Sequence, residues 1–192
     1  MSHLLRKRPR GLRSQTGLAT VEFALIAVAL IVMVCGLIDV GRAIYAKQVL
    51  LNLSREAANL SARGTSLQEA ATLEVSYADP LNMASAGRIV VSTVTRDGAG
   101  NPFITQQCWD GGLTAAQAPS QLGNLAVCSP APLAPPPSNP AASPANAAGV
   151  PSTLPPTGKT LYVAEVYYQF QPATPIGALL PFPGLLSDVA YF

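Results

Sequence analysis

Histidine is almost missing from this 192-residue chain, and its one copy, His3, lies three residues from the start. That scarcity excludes a Ser-His-Asp or Cys-His arrangement in the body of the protein, and most catalytic zinc sites with it. There is no G-x-x-x-x-G-K-[ST] loop, no C-x-x-C and no H-E-x-x-H. Charge is equally scarce. Asp, Glu, Lys and Arg make up 11% of residues, against about 25% in ordinary soluble domains. A highly charged disordered chain and a coiled coil are therefore excluded, and so is a nucleic-acid binder working through a broad basic face. The acids from Glu69 onward are Glu69, Glu74, Asp79, Asp97, Asp110, Glu165 and Asp188, scattered with no spacing that pairs them. The expectation is a protein that is not an enzyme and takes no metal and no cofactor.

What charge there is lies unevenly. Arg6, Lys7, Arg8, Arg10 and Arg13 crowd the first 13 residues without an acid among them. The next stretch explains the crowding. From Phe23 to Ile38 no residue is charged, and extending back to Gly17 adds only Glu22. A bilayer core of about 30 Å needs roughly 20 apolar helical residues, and this run shows no polar stripe. It reads as a membrane helix, with the basic arm as its cytoplasmic flank. The orientation expected is N-terminus in and C-terminal domain out. A cleaved signal peptide fits poorly, because Arg42 stands where a small residue is needed for cleavage before Ala43. A lipoprotein site at Cys35 would want a small residue where Val34 stands.

Glu22 is the costly residue in this run, since a carboxylate in a membrane helix is disfavoured by roughly 2.5–3.5 kcal/mol at mid-bilayer and by less near the interface. It either sits among headgroups at the helix start or pairs with a cation brought beside it. Gly17-Leu18-Ala19-Thr20-Val21-Glu22-Phe23, between a short basic leader and an apolar run, resembles a prepilin-peptidase site. Such a site has Gly before the cut and Glu fifth in the mature chain. Counting from Leu18, Glu22 is fifth and Phe23 sixth.

The likeness continues through Gly36-Leu37-Ile38-Asp39-Val40-Gly41-Arg42-Ala43-Ile44-Tyr45, Gln48-Val49-Leu50 and Ser54-Arg55-Glu56-Ala57-Ala58. These residues resemble the TadE-like proteins, minor pseudopilins of tight-adherence (Tad/Flp, type IVb) pilus systems. Asn59 departs from the family's R-E-A-A-R pattern. The resemblance implies Gly17, Leu18, Glu22 and Phe23 as processing residues, and Glu22 as an assembly salt bridge to a freed Leu18 amine, its own or a neighbour's. It implies as partners the prepilin peptidase, a second minor pseudopilin, the major Flp pilin, the inner-membrane assembly platform and membrane lipid, with no nucleic acid. It implies a single-pass place in a bacterial inner membrane with a periplasmic outer domain. Two rivals stand beside it: an unprocessed bitopic anchor with a binding domain, and a pseudopilin of a type II secretion system.

The residues after the span agree with a continuing helix. Ala43, Ala46, Leu50, Leu53, Ala57 and Leu60 recur at 3 and 4 and share one face. Gln48, Asn52, Arg55, Asn59 and Arg63 fall opposite, and Gly64 is a stop. One helix over about 18–63 is expected, with two separate helices as the alternative. Ser66 and Glu69 have capping-box spacing, which predicts a short helix over 67–75. Arg88–Thr95, Phe103–Gln107 and Leu161–Phe170 read as strands, with a turn over 97–101. The fold class is therefore α+β, pilin-like: a long N-terminal helix packed on a small antiparallel sheet. The organisation is a leader 1–17, a membrane helix 18–38, its continuation 39–64, and an outer domain 65–192.

Ten of the 18 prolines fall in 129–157, which reads as an extended Pro-rich insert. The tail 171–187 is apolar and proline-punctuated. It is expected to pack on the domain, or to touch a partner or the membrane surface. Cys108 and Cys128 flank a loop just before the insert and are expected to form a disulfide in an oxidising compartment. Cys35 lies within the span and reads as a packing residue.

Overall fold

The computed structural model of the protein describes residues 13–96, 100–123, 125, 128, 150, 151, 153–156, 158–175, 177 and 182–192, with side chains from residue 17. The basic leader up to residue 12, the tip of the 97–101 turn and residues 129–149 of the Pro-rich insert lie outside the described residues. The chain divides into two compact units. One holds Met1–Gly41 with Pro172–Phe182, the other Arg42–Gln171 with Pro183–Phe192.

Helix α1 runs Arg13–Ala62, joining the apolar run and its amphipathic continuation as the periodicity predicts. Its end is chemically marked. Gly64 takes φ +101°, a left-handed conformation that glycine reaches without a Cβ penalty. The Gly64 N–H then donates to Ser61 O and the Thr65 N–H to Leu60 O, which satisfies two of the terminal carbonyls. Helix α2, Leu67–Tyr77, starts at the predicted cap: the Glu69 N–H donates to Ser66 Oγ at 3.2 Å. A four-residue turn of helix, α3 (Met83–Ala86), leads into the sheet.

The second unit is built on four antiparallel strands: β1 Gly87–Arg96, β2 Pro102–Gly111, β3 Leu161–Gln169 and β4 Leu185–Tyr191, in the order β2-β1-β3-β4. Three of these are the expected strands, and β4 is additional. Its first residues, Leu185–Ser187, end the tail that was expected to pack on the domain, and they do so as ladder residues paired with β3. Alternation places Ile89, Val91, Ala164, Val166 and Ala190 on one face, where they pack with Leu50, Leu53, Ala57 and Ala58 of α1 and Leu67 and Ala71 of α2. The expected α1 stripe is thus the buried one at Ala46, Leu50, Leu53 and Ala57, while Ala43 and Leu60 are half-buried. Gln48, Asn52, Arg55 and Arg63 are exposed. The opposite sheet face is covered by Leu113, Ala118 and Leu122 from the segment after β2, and by Val150.

Candidate functional site

The processing residues all lie on α1. Gly17, Leu18, Glu22 and Phe23 are helical and exposed, Leu18 and Phe23 each at 73%. Among the described residues a Cβ on Gly17 would meet nothing within 4 Å. Val21, Leu25, Ile26, Val28, Leu30 and Ile31 are likewise exposed. A helix of this length, apolar on every side with none of its most apolar window buried, has the length and composition to cross a membrane.

Asp39, the first charge after the apolar run, is a residue whose role the sequence reading missed. It is fully buried, and its partners belong to the same unit. Oδ1 accepts from the Ala173 N–H at 2.8 Å and the Thr174 N–H at 3.2 Å, and Oδ2 accepts from the Thr174 hydroxyl. The Gly177 N–H in turn donates to Thr174 Oγ1 at 3.2 Å. A Cβ on Gly177 would fall 2.2 Å from Asp39 Oδ2 and 2.3 Å from Pro172 Cβ, so only glycine fits there. The only local signal was an acid set directly against an uncharged run; its partners are 134 and 135 positions away.

In the second unit α1 is fastened to β4 through Asp188. Lys47 Nζ lies 3.0 Å from Asp188 Oδ1 and also donates to Ser187 O, while Ser54 Oγ donates to Asp188 Oδ2 at 2.7 Å. Ser54 opens the Ser-Arg-Glu-Ala-Ala stretch singled out in the sequence. That stretch now has a physical reading: Ser54, Ala57 and Ala58 are buried under the sheet, and Arg55 and Glu56 are exposed. Arg42 and Tyr45, of the G-R-A-x-Y step, are exposed.

Cys108 and Cys128 form the expected disulfide, with Cα atoms 4.4 Å apart. Cys35 is a free thiol. On the sheet face away from α1, Glu165 is fully buried and accepts from the Ser120 hydroxyl, the Gln121 N–H at 2.7 Å and the Tyr167 hydroxyl at 3.0 Å. Burial pushes its carboxyl above the ordinary range, while these donors and the Arg88 charge oppose that rise. Burial lowers the Arg88 guanidinium, which donates to Ala118 O at 2.6 Å and stands 5.6 Å from the centroid of the Trp109 ring. Tyr167 is raised by burial and by the neighbouring Glu165 charge. This polar cluster is sealed from solvent and ties the 112–123 segment to the sheet. A more open cavity of about 270 Å³ lies between the end of α1 and the start of α2, lined by hydroxyls and amides of Ser61, Thr65, Ser66, Gln68 and Gln106 and by Tyr162. Among the described residues its lining holds no carboxylate or imidazole. Among the described residues no group of three or more His, Cys, Asp or Glu is placed to hold a metal ion.

The family model of the TadE-like protein aligns with residues 17–59, from the glycine before the expected cut to three residues short of the end of α1. The family resemblance read in the sequence is thereby shown on the segment that carried it. No curated protein and no solved structure matches the chain.

Proposed function

We propose that the protein is a membrane-anchored minor pseudopilin, cut by a prepilin peptidase between Gly17 and Leu18 and used in the assembly of a Tad/Flp-type pilus. The observation that carries this reading is where the TadE-like match begins: on Gly17, leaving the basic leader outside. Glu22, fifth from Leu18, lies on an exposed helical segment, as a residue that pairs with another chain in the bilayer must.

The mechanism follows from charge and solvation. The leader holds five bases with no acid and keeps its end of the chain at the cytoplasmic face. Cutting after Gly17 removes them and leaves one new cation, the Leu18 amine, four residues from Glu22. Ion pairing in low dielectric is strong but only offsets a large desolvation cost. Its contribution is register: an unpaired Glu22 is penalised, so subunits pack at one axial offset. The apolar helix meets other pilin-like helices, first in the membrane and then in the growing complex. The outer domain, with its disulfide, faces the periplasm. The helical conformation of Gly17–Leu18 requires local unwinding for the bond to enter a peptidase in extended form, and a glycine favours that step.

Intact mass and N-terminal sequence of the protein from native membranes test the reading. A chain beginning at Leu18 is the expected result. A chain that keeps Met1 or Ser2 where the peptidase is active would make it an unprocessed anchor with an outer binding domain.

A further inference from the structure

We infer that Arg42 and Tyr45 anchor the chain at the outer face of the membrane, with the Arg42 guanidinium on phospholipid headgroup phosphates and the lipid-facing surface of α1 reaching Tyr45. The inference rests on the proposed reading that α1 spans a bilayer, and it moves the outer boundary of the span past Ile38. By charge alone the span ends at Ile38, because Asp39 follows. Asp39 is no surface charge. It is fully buried, and its carboxylate accepts from the N–H groups of Ala173 and Thr174. A carboxylate supplied with donors and shielded in this way does not mark where water begins. The exposed side chains mark it instead. Val40, Ile44 and Tyr45 are exposed at 42%, 56% and 51%. After Tyr45 the next exposed positions on the helix are Gln48, Asn52, Arg55 and Glu56, all polar. The exposed surface of α1 therefore changes from apolar to polar between Tyr45 and Gln48.

Arg42 is the charge that stands in this apolar band. It is exposed, and among the described residues it has no hydrogen bond or ion pair. The nearby cation Lys47 is engaged by Asp188 and Ser187 O. Arg42 and Tyr45 are three positions apart, so they are neighbours on the helix surface. Both suit the headgroup layer. An arginine lays its apolar stem along apolar surface and carries its guanidinium outward to the polar zone. Its planar fork of donors matches a phosphate bidentately. Tyrosine rings collect at the level of the headgroups. The spacing fits as well. The 20 residues that start at Phe23 end at Arg42, and roughly 20 helical residues cross a bilayer core of about 30 Å. Arg42 then falls at the edge of the hydrocarbon, and Tyr45 lies one turn beyond it. A second copy in the same bilayer is a poorer partner, because at equal depth it presents its own Arg42, a like charge.

The test uses the full-length protein in proteoliposomes of phosphatidylethanolamine and phosphatidylglycerol, in a Cys35→Ala background. A fluorophore is placed in turn on Leu30→Cys, Ile44→Cys and Asn52→Cys, and quenching by lipid carrying a nitroxide high or low on the acyl chain is measured. All three parent side chains are exposed. Quenching at Ile44→Cys at least twofold above Asn52→Cys is expected, strongest with the high nitroxide, while Leu30→Cys responds best to the low one. Ile44→Cys behaving like Asn52→Cys while Leu30→Cys is quenched would overturn the inference and leave the spanning helix intact. An unquenched Leu30→Cys would remove the spanning helix and the anchor with it. Adding Arg42→Leu should let the helix sink, raising the ratio of low to high quenching at Ile44→Cys at least twofold. Arg42→Lys keeps a cation for the phosphate and should stay near the wild-type ratio. A ratio unmoved by Arg42→Leu would overturn the role of Arg42. So would a lower thermal midpoint of Arg42→Leu in detergent, which would give the side chain a contact within the fold. Loss of cross-linking between copies at Ile44→Cys in Arg42→Leu, with quenching unchanged, would assign the surface to a second subunit instead.

Discussion

Glu74 is a carboxyl inside a protein with few charges to spare. It sits on α2 at 2% exposure, and its Oε2 has no hydrogen-bond partner among the described residues. Burial first, and the Glu56 charge second, push its pKa up to about 7. A carboxyl that holds its proton more tightly in the folded state makes the fold most stable below its unfolded pKa of 4.5 and less stable as pH rises to about 7. Thermal unfolding of the wild type should therefore fall in midpoint across that window. Glu74→Gln should flatten the dependence and add on the order of 1 kcal/mol at pH 8; a profile unchanged by the substitution would refute the assignment. Asp188 presents the opposite case, a carboxylate with its partners in place. Ser54 is fully buried and donates to it, whereas the Lys47 side chain is 40% exposed. Ser54→Ala strips a donor from a partly buried carboxylate and should cost about 1–3 kcal/mol. Lys47→Met, at a solvent-screened pair, should cost less than about 1 kcal/mol. Denaturant titration of both variants checks the order, and a larger loss at Lys47 would reverse it.

Strand β4 shows what local pattern reading catches and what it misses. Helix α1, helix α2 and strands β1 to β3 follow from features carried within a few residues: the 3–4 spacing from Ala46 to Ala57, the Ser66 cap, and the β-branched run from Ile89 to Thr95. In β4 the residues facing α1 are Leu186, Asp188 and Ala190, so an acid breaks the middle of the core-facing row. Lys47 and Ser54, 141 and 134 positions away, make that acid tolerable. Asp39 was hidden for the same reason. Its partners come from the far end of the chain, and nothing within a helical turn announces them. The disulfide was readable because it needs only two cysteines and a plausible loop. It joins β2 to Cys128 across a separation of 20 residues, where the chain-entropy account gives about 3 kcal/mol. Cys108→Ala/Cys128→Ala should lose roughly that amount in chemical denaturation. Reducing agent should lower the wild type to the same level and leave the double variant unmoved. A wild type indifferent to reductant would show that the covalent link contributes nothing to the fold.

The N-terminal helix asks two things of one sequence. Its C-terminal half is amphipathic and belongs to the core of the second unit, and residues 17–38 are apolar on every side and largely exposed. A soluble monomer has no use for such a surface; under the proposed function lipid covers it first and neighbouring helices later. Glu22 is the one acid in that surface, and it separates membrane residence from assembly. In Glu22→Ala the hydrophobic run only lengthens, so membrane insertion should be preserved or improved. Gly17 and Leu18 are unchanged, so the mature mass should differ from the wild type by the substitution alone. What disappears is the penalty for packing at the wrong axial offset. Pilus assembly in cells should then fall well below wild type although the protein is present and cleaved. Glu22→Asp, which keeps the charge on a shorter arm, should recover part of it. Counting pili by microscopy beside the mature-chain mass distinguishes the cases. Normal pili with a cleaved Glu22→Ala chain would sink the register argument. An uncleaved chain would instead make Glu22 a peptidase recognition residue.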